Sequence, residues 1–191
     1  MKIRSVSKDE FRTTDWSGGT TTEFYIYPEG SDYRERKFKA RISSALVTNE
    51  QSTFTKLTDV TRYLVPLSEE ITLCIRGENV RLSPYEVIRF SGEDAVESYG
   101  TCQDFNLMLK NTDGMMESVY ATERGMRITV NPGYIAACYC YEGEAMLVTE
   151  DNQEIKFASD QLVLLKTDSL KEEIIKLYAD HKHVIICHIA M

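Results

Sequence analysis

Histidine is scarce in this sequence, and its distribution excludes several kinds of site. The 191 residues contain only three histidines, His181, His183 and His188, so none lies in the first 180 residues. A serine or cysteine nucleophile in that part of the chain would have to recruit its base from the C-terminal end. The chain also lacks a Gly-x-Ser-x-Gly nucleophile elbow and a glycine-rich phosphate loop. The sequence therefore leaves open whether the protein is an enzyme, and favours one that is not.

Long apolar runs and basic clusters are also missing. No run approaches the roughly 20 apolar residues of a membrane span, and the first residues carry no secretory apolar stretch. The net charge of −8, from 22 Lys and Arg against 30 Asp and Glu, disfavours nucleic acid as a partner. Five cysteines, an odd number, suit reduced thiols better than a disulfide framework. We therefore expect a cytoplasmic protein that binds neither nucleic acid nor a membrane.

Short runs of apolar and β-branched residues dominate the chain and indicate strands. In the run from Phe38 to Val47, alternation places Ile42 and Leu46 on the core face and Arg41 and Ser43 on a polar face. Helix is limited to short candidates near residues 8–12 and 115–120. The pattern predicts an all-β sandwich or barrel.

An internal repeat points to the architecture. Residues 71–90 and 145–165 both read as strand, turn, strand, loop and strand. The matched positions include Leu73 with Leu147, Val80 with Ile155, Leu82 with Phe157, Phe90 with Leu165, Tyr99 with Tyr178 and Phe105 with Val184. A jelly roll, or double-stranded β-helix, is a natural unit for such hairpins. Two tandem copies of one β unit are therefore expected, with the seam near residues 110–129.

The first polar motif runs from Trp16 to Glu23 and reads Trp-Ser-Gly-Gly-Thr-Thr-Thr-Glu. Its paired glycines, Gly18 and Gly19, allow either a tight turn or the close approach of a ligand to the backbone. In the strand that follows, Thr20 and Thr22 lie on the face opposite Glu23. On the motif alone, the simpler interpretation is a structural bulge with Trp16 covering the core.

The second polar cluster contains two arginines. Arg41 and Ser43 are two residues apart, so a guanidinium and a hydroxyl share one strand face and can hold a carboxylate. Arg62 opens another strand and can converge on the same site. The alternative is a structural ion pair of Arg41 with Glu23 or Asp59.

The third cluster is an alternating strand face. Asp104, Asn106 and Met108 share one face, opposite Phe105 and Leu107. In a barrel such a polar face can line a cavity. It is equally compatible with a solvated outer face.

These clusters, in this order, resemble the HutD/Ves family. The matching motifs are Trp-x-Gly-Gly-x-Thr-x-Glu from Trp16, Phe-x-x-Arg-Ile-Ser-x-Ala-x-Val from Phe38, Ser52-x-Phe54, Arg62, Phe90-x-Gly92 and Asp104-x-Asn106-x-Met108. The resemblance covers at least residues 16–108, with two mild departures: a short glycine run, and Thr55 where serine often follows Phe54. The candidate ligand-binding residues that it implies are Trp16, Gly18, Gly19, Thr20, Thr22, Glu23, Arg41, Ser43, Arg62, Asp104, Asn106 and Met108.

The resemblance implies two cupin-like units, residues 1–115 and 116–191, packed as a bicupin. HutD members are associated with histidine-utilisation genes, which implies a modulator of that pathway. The expected partner is a small anionic metabolite such as urocanate or a formyl- or formimino-glutamate. Metal-dependent cupins use a His-x-His pair, a Glu and a further His, and the first unit has no histidine to build that site. His181 and His183 are expected on one strand face and His188 on the other, so we expect no metal and no other cofactor.

Two other functions stay open from the sequence. One is a metal-independent cupin enzyme, an isomerase or hydrolase acting on a small carboxylate, with Glu23 or Asp104 as general base. The other is a stress-related protein-interaction module, in which the cavity motifs serve folding only. A homodimer is compatible with either.

Overall fold

The computed structural model describes residues 1–159 and 161–191 and is built almost entirely of strands. The strands of the first half are β1 (Lys2–Val6), β2 (Arg12–Trp16), β3 (Gly19–Tyr27), β4 (Ala40–Val47), β5 (Gln51–Thr53), β6 (Val60–Pro66), β7 (Ile71–Ile75), β8 (Glu78–Leu82), β9 (Ile88–Ser91), β10 (Val96–Tyr99) and β11 (Cys102–Lys110). The second half adds β12 (Gly114–Ala121), β13 (Met126–Val130), β14 (Tyr134–Cys140), β15 (Glu144–Val148), β16 (Glu154–Ala158), β17 (Leu162–Lys166), β18 (Glu173–Ala179) and β19 (Lys182–Ala190).

Helix is confined, within these residues, to two short 3-10 turns at Lys8–Glu10 and Tyr33–Glu35. The first lies where a turn was expected. The second helix candidate, residues 115–120, is wrong, because these residues form most of β12 and pair with β19. None of the helices in residues 1–159 and 161–191 is long and apolar enough to cross a membrane.

The chain divides into two compact units. The N-terminal unit is Phe11–Thr112, and the C-terminal unit is Asp113–Met191 together with Met1–Glu10. The expected boundaries, 1–115 and 116–191, therefore differ at both ends. The first ten residues join the C-terminal unit because β1 pairs with β17, from Lys2 opposite Lys166 to Val6 opposite Leu162. This long-range pairing leaves no local signal in the sequence.

The N-terminal unit contains two antiparallel sheets. One has the order β2-β3-β4-β11-β6-β9 and the other the order β5-β10-β7-β8. Leu64, Leu73 and Phe90 belong to the apolar cluster within this unit. The expectation for Leu46 is wrong: its side chain is 48% exposed, whereas Ile42 on the same strand is fully buried.

The C-terminal unit repeats this plan. Its sheets have the orders β1-β17-β14-β19-β12 and β13-β18-β15-β16. Leu147, Phe157, Leu165 and Ile186 are among the side chains of its core. In each unit the last long strand lies between two strands in equivalent positions: β11 lies between β4 and β6, and β19 lies between β12 and β14.

The strand register reproduces most of the expected repeat. Leu73 pairs with Val80, and Leu147 pairs with Ile155. The alignment of Phe105 with Val184 is displaced by one residue, because Asp104 and Val184 hold the equivalent positions in β11 and β19. An all-β chain of two similar jelly-roll units is thus what the cross-strand pairs describe.

Candidate ligand-binding site

Three neighbouring strands bring the two arginines of the motif into one row. Met108 on β11 pairs with Arg41 on β4 and with Arg62 on β6. Directly paired residues of antiparallel strands project their side chains to the same face. The row Arg41, Met108, Arg62 therefore lies on one face of the sheet, which also carries Ser43 and Asn106 as the next pair along.

This face lines a cavity of about 740 Å³ in the N-terminal unit. Eight of the twelve candidate residues line it: Trp16, Gly18, Arg41, Ser43, Arg62, Asp104, Asn106 and Met108. Asp104, Asn106 and Met108 are buried rather than solvated, so the outer-face alternative for this strand is wrong. The remaining candidates, Gly19, Thr20, Thr22 and Glu23, are not among the lining residues.

Glu23 lies on β3 opposite Ser43, beside the lining residues of the cavity, and holds Arg41 in place. The Arg41 Nε donates a hydrogen bond of 2.6 Å to Glu23 Oε2, and both side chains are buried. Arg41 Nη1 donates to Ser43 Oγ at 3.2 Å, and the guanidinium lies 4.2 Å from the centroid of the Tyr33 ring. The structural ion pair with Glu23 therefore exists, and it also orients Arg41 within the wall of the cavity.

Arg62 has no such counter-charge. Among the described residues, no carboxylate lies within salt-bridge distance of its guanidinium, and its Nη1 donates to the carbonyl of Thr55 at 3.2 Å. The guanidinium lies 4.7 Å from the Phe54 ring centroid and 5.6 Å from that of Phe90. Burial lowers the pKa of Arg62 to about 10. Its Nε is buried without a hydrogen-bond partner, so one charged donor of the cavity wall is left unused.

Asp104 and Asn106 are two further polar residues that line the same cavity. Asp104 Oδ1 accepts hydrogen bonds from the Ala45 backbone N–H at 3.1 Å and from Asn106 Nδ2 at 2.5 Å. Burial raises the pKa of Asp104 to about 7, against the opposing effect of these two hydrogen bonds. Because Nδ2 of Asn106 is held by Asp104, its Oδ1 is the free end of the amide, and this atom is buried without a partner.

Replacing Asp104 with asparagine should change the pH dependence of stability. The folded-state pKa of about 7 lies above the unfolded value of roughly 4, so between these values the folded protein retains a proton that the unfolded chain has lost. This group therefore makes the free energy of unfolding fall as pH rises through that window, by up to roughly 1.4 kcal/mol per pH unit. Asp104→Asn mimics the protonated form and lacks this dependence. The stability of the variant relative to wild type should therefore increase as pH rises through the same window.

Urea unfolding of wild type and variant at about pH 5, 6, 7 and 8 measures this difference. Asp15→Asn is a matched control, because Asp15 is an exposed carboxylate on β2 of the same unit. An Asp104→Asn effect of constant size at all four pH values would contradict the prediction.

Both glycines of the pair are required by neighbouring protein atoms, which leave no room for a Cβ. Gly19 has a φ of +147°, and a Cβ there would lie 1.9 Å from the carbonyl oxygen of Leu46 on β4. A Cβ on Gly18 would lie 2.1 Å from the ring of Trp16. Close approach between two strands, not approach of a ligand, therefore explains Gly19, and Gly18 makes room for Trp16.

Trp16 lies at the cavity and does not cover the core. It is 39% exposed, and its Nε1 donates to Thr21 Oγ1 at 3.1 Å. Thr21, rather than Thr20 or Thr22, lines the cavity, because it pairs with Ala45 on the cavity face of β4. The predicted bulge also lies elsewhere, since the register of β3 against β4 shifts between Glu23 and Tyr25.

Sequence reasoning missed several lining residues. Tyr33 is the main one, because it lies in the 3-10 turn between β3 and β4, where no periodic pattern identifies it. Phe54 belongs to the Ser52-x-Phe54 motif and Thr55 follows it, and neither is among the predicted ligand-binding residues. The contact of Arg62 with both of them shows that this motif segment forms part of the cavity.

The histidines lie apart from this cavity, in the C-terminal unit. His181 and His183 flank Tyr120, with ring centroids 6.0 and 5.2 Å from that of the tyrosine. His188 Nε2 lies 3.5 Å from Glu117 Oε1. No group of three or more His, Cys, Asp or Glu suited to a metal ion occurs within residues 1–159 and 161–191.

The two similar jelly-roll units give this protein a cupin-like fold. A cupin 2 conserved barrel domain protein from Leptotrichia buccalis has a similar structure, with a TM-score of 0.60, 8% identity and coverage of 100% of this chain and 98% of that one. The predicted all-β, cupin-like fold is thereby confirmed.

Within that class, the HutD family model matches residues 8–185, and the chain belongs to the HutD family. HutD from Pseudomonas fluorescens SBW25 (formate condition) is similar over 99% of this chain and 98% of its own, with a TM-score of 0.80 and 17% identity. The conserved protein of unknown function PA5104 from Pseudomonas aeruginosa PAO1 has a TM-score of 0.83 and 17% identity, and the match covers 100% of this chain and 98% of that one. A search of curated proteins found no match.

Proposed function

We propose that this protein binds a small carboxylate metabolite in the N-terminal cavity and thereby modulates histidine utilisation. One observation carries the proposal: the cavity wall contains a buried donor, Arg62 Nε, and a buried acceptor, Asn106 Oδ1, and neither has a partner. Leaving such groups unpaired costs about 1–3 kcal/mol each, and more for a charged group. A ligand that pairs with both removes that cost.

The two free atoms specify complementary groups on the ligand. Arg62 needs an acceptor and, as a cation, favours a carboxylate oxygen. Asn106 Oδ1 needs a donor, such as an N–H. Urocanate, N-formylglutamate and N-formiminoglutamate each combine a carboxylate with an N–H group. Formate, named in the condition of the P. fluorescens HutD structure, supplies only the carboxylate.

The charges of the cavity favour an anion over a cation. Glu23 neutralises Arg41, whereas Arg62 keeps its positive charge without a paired carboxylate among the described residues. Asp104 carries only part of a charge near neutral pH, because its pKa is about 7. The net charge of the side chains at the cavity is thus positive, although the net charge of the whole chain is −8.

Titration of the purified protein tests the proposal. Urocanate, N-formyl-L-glutamate, N-formimino-L-glutamate and formate are added while thermal unfolding is followed, and a ligand at 100 times its dissociation constant adds about 2.7 kcal/mol. Trp16 is the single tryptophan and lines the cavity, so its fluorescence reports occupancy independently. We expect at least one of the N–H carboxylates to bind more tightly than formate. No response to any of them, or equal responses in an Arg41→Ala, Arg62→Ala double variant, would refute the proposal.

A metal-independent enzyme is the second candidate, and one observation favours it. A carboxyl group with a pKa of about 7 can both accept and donate a proton near neutral pH, as a general acid–base catalyst must. Glu23 is a weaker candidate, because it is bound to Arg41 and does not line the cavity. Turnover of a bound carboxylate, seen by NMR and lost in Asp104→Asn, would favour the enzyme over the binding protein.

The cellular location is part of the proposal. All five cysteines are free thiols, and burial raises the pKa of Cys102 and Cys138 to about 12, which keeps both thiols protonated and unreactive. Reduced, buried thiols suit the cytoplasm.

A further inference from the structure

The C-terminal unit contains a cavity of its own, of about 560 Å³. Its wall includes two of the three strand positions that carry the arginine row in the N-terminal unit, through Met115 and His188. The third position, Ala136, is buried in the core of the unit. Met115 and Arg41 are each the second residue of their strands, β12 and β4, and His188 and Met108 are each the third from the end of β19 and β11. Ala136 and Arg62 are each third in β14 and β6.

The cross-strand pairs confirm this equivalence. His188 pairs with Met115 on one side and with Ala136 on the other, as Met108 pairs with Arg41 and Arg62. The two units therefore have equivalent strand positions at this place, but the side chains at those positions differ. Both guanidiniums are replaced by apolar side chains, so this second cavity has no counterpart to the anion-binding row.

A carboxylate and an imidazole take their place. Glu117 holds the strand position of Ser43, the fourth residue in β12 and β4 respectively. Its Oε1 lies 3.5 Å from His188 Nε2. Among the described residues, His188 is the only ion-pair or hydrogen-bond partner of the Glu117 carboxylate, so most of its acceptor capacity is free.

The rest of the wall determines what can reach this carboxylate. Met115, Met126 and Ile186 supply apolar surface beside the pair. The wall also contains Arg127, which is exposed, and the Glu117 side chain is 42% exposed, so solvent screens both charges in part. His188 is recessed, with 14% of its side chain exposed. A ligand with an apolar body and a donor at one end therefore fits this wall.

We propose that the C-terminal cavity is a second binding site, for a small primary amine whose ammonium group pairs with Glu117. An ammonium supplies three donors to the carboxylate, and the alkyl part packs on the methionine side chains. This site is independent of the carboxylate site proposed for the N-terminal unit, because no residue is shared between the two cavities.

Methionine methyl NMR distinguishes the two sites. Met115 and Met126 line the C-terminal cavity and Met108 lines the N-terminal one. In protein labelled with 13C at the methionine methyls, n-butylamine should shift the Met115 and Met126 signals saturably and leave Met108 unchanged. Butyrate, of equal chain length but opposite charge, should leave Met115 and Met126 in place.

Glu117→Gln keeps the shape of the side chain and removes its charge, and it should raise the dissociation constant for n-butylamine at least tenfold. Arg62→Met should leave that constant unchanged. Unshifted Met115 and Met126 signals with n-butylamine, a stronger effect of butyrate than of the amine, or unchanged affinity in Glu117→Gln would overturn the proposal. The comparison of n-butylamine with butyrate uses the unmodified protein, so it tests the proposal even if the Glu117→Gln variant does not fold.

Discussion

Replacing Arg62 with methionine should leave the protein as stable as wild type, or more stable, while weakening carboxylate binding about tenfold to a hundredfold. Arg62 is a buried cation with an unpartnered Nε and no paired carboxylate among the described residues. Burial without a counter-charge is unfavourable, which is also why the pKa of Arg62 falls to about 10. Apolar replacement of buried charges is often neutral or stabilises a protein by about 1–4 kcal/mol.

The loss of binding follows from the same geometry. Hydrogen bonds to charged groups contribute about 1.5–3 kcal/mol, and methionine of similar length keeps the contacts with Phe54 and Phe90 without offering a donor. Urea unfolding measures the first effect and titration with urocanate or N-formyl-L-glutamate the second.

Arg89→Met provides the matched control, because Arg89 lies on β9 beside the Arg62 row and is exposed. It should change neither quantity appreciably. A marked loss of stability in Arg62→Met, with ligand affinity retained, would show that Arg62 has a structural role only.

Replacing Glu23 with alanine should destabilise the protein by about 3–5 kcal/mol, because it leaves the buried Arg41 guanidinium without its counter-charge. Glu23 is 9% exposed and Arg41 6%, and the Nε–Oε2 distance between them is 2.6 Å. After the substitution the Ser43 hydroxyl and the Tyr33 ring would still contact the guanidinium, but neither carries a counter-charge. Chemical denaturation of the variant measures the loss.

A double variant separates the ion pair from the packing. Glu23→Leu combined with Arg41→Met removes both charges and keeps the volume, so it should recover most of the stability lost in Glu23→Ala. Equal stabilities of Glu23→Ala and wild type would contradict this view of the pair. Gln at position 23 should fall between the two, since it keeps an acceptor for Arg41 but not the charge.

The two predictions assign different roles to two arginines that the sequence presents as equivalents. Both are buried residues within strands, and both match the family motif. Their difference arises from their neighbours in space. β3 supplies Glu23 to Arg41, whereas the segment after β5 offers Arg62 a carbonyl and an aromatic ring but no carboxylate.

What the sequence determined by itself was the alternation within each strand and the repetition of the hairpins. A period of two places Asp104, Asn106 and Met108 on one face whatever the surroundings. The repeat of apolar positions predicts, without knowledge of the strand pairs, that Leu73 and Leu147 occupy equivalent positions. The family motifs predicted which of these faces carry ligand-binding residues, and the HutD family model matches residues 8–185.

Tertiary structure alone decided which of these faces encloses a cavity and what it contacts. The pairing of β1 with β17 moves the first ten residues into the C-terminal unit, and Tyr33 reaches the cavity from a turn without periodicity. Arg62 Nε and Asn106 Oδ1 are left without hydrogen-bond partners because of the side chains that surround them, which are far apart in the chain. The same is true of the Glu117–His188 pair in the cavity of the second unit. Alternation is a local property of the backbone, whereas charge balance and unpaired hydrogen-bonding groups arise only when distant strands are brought into register.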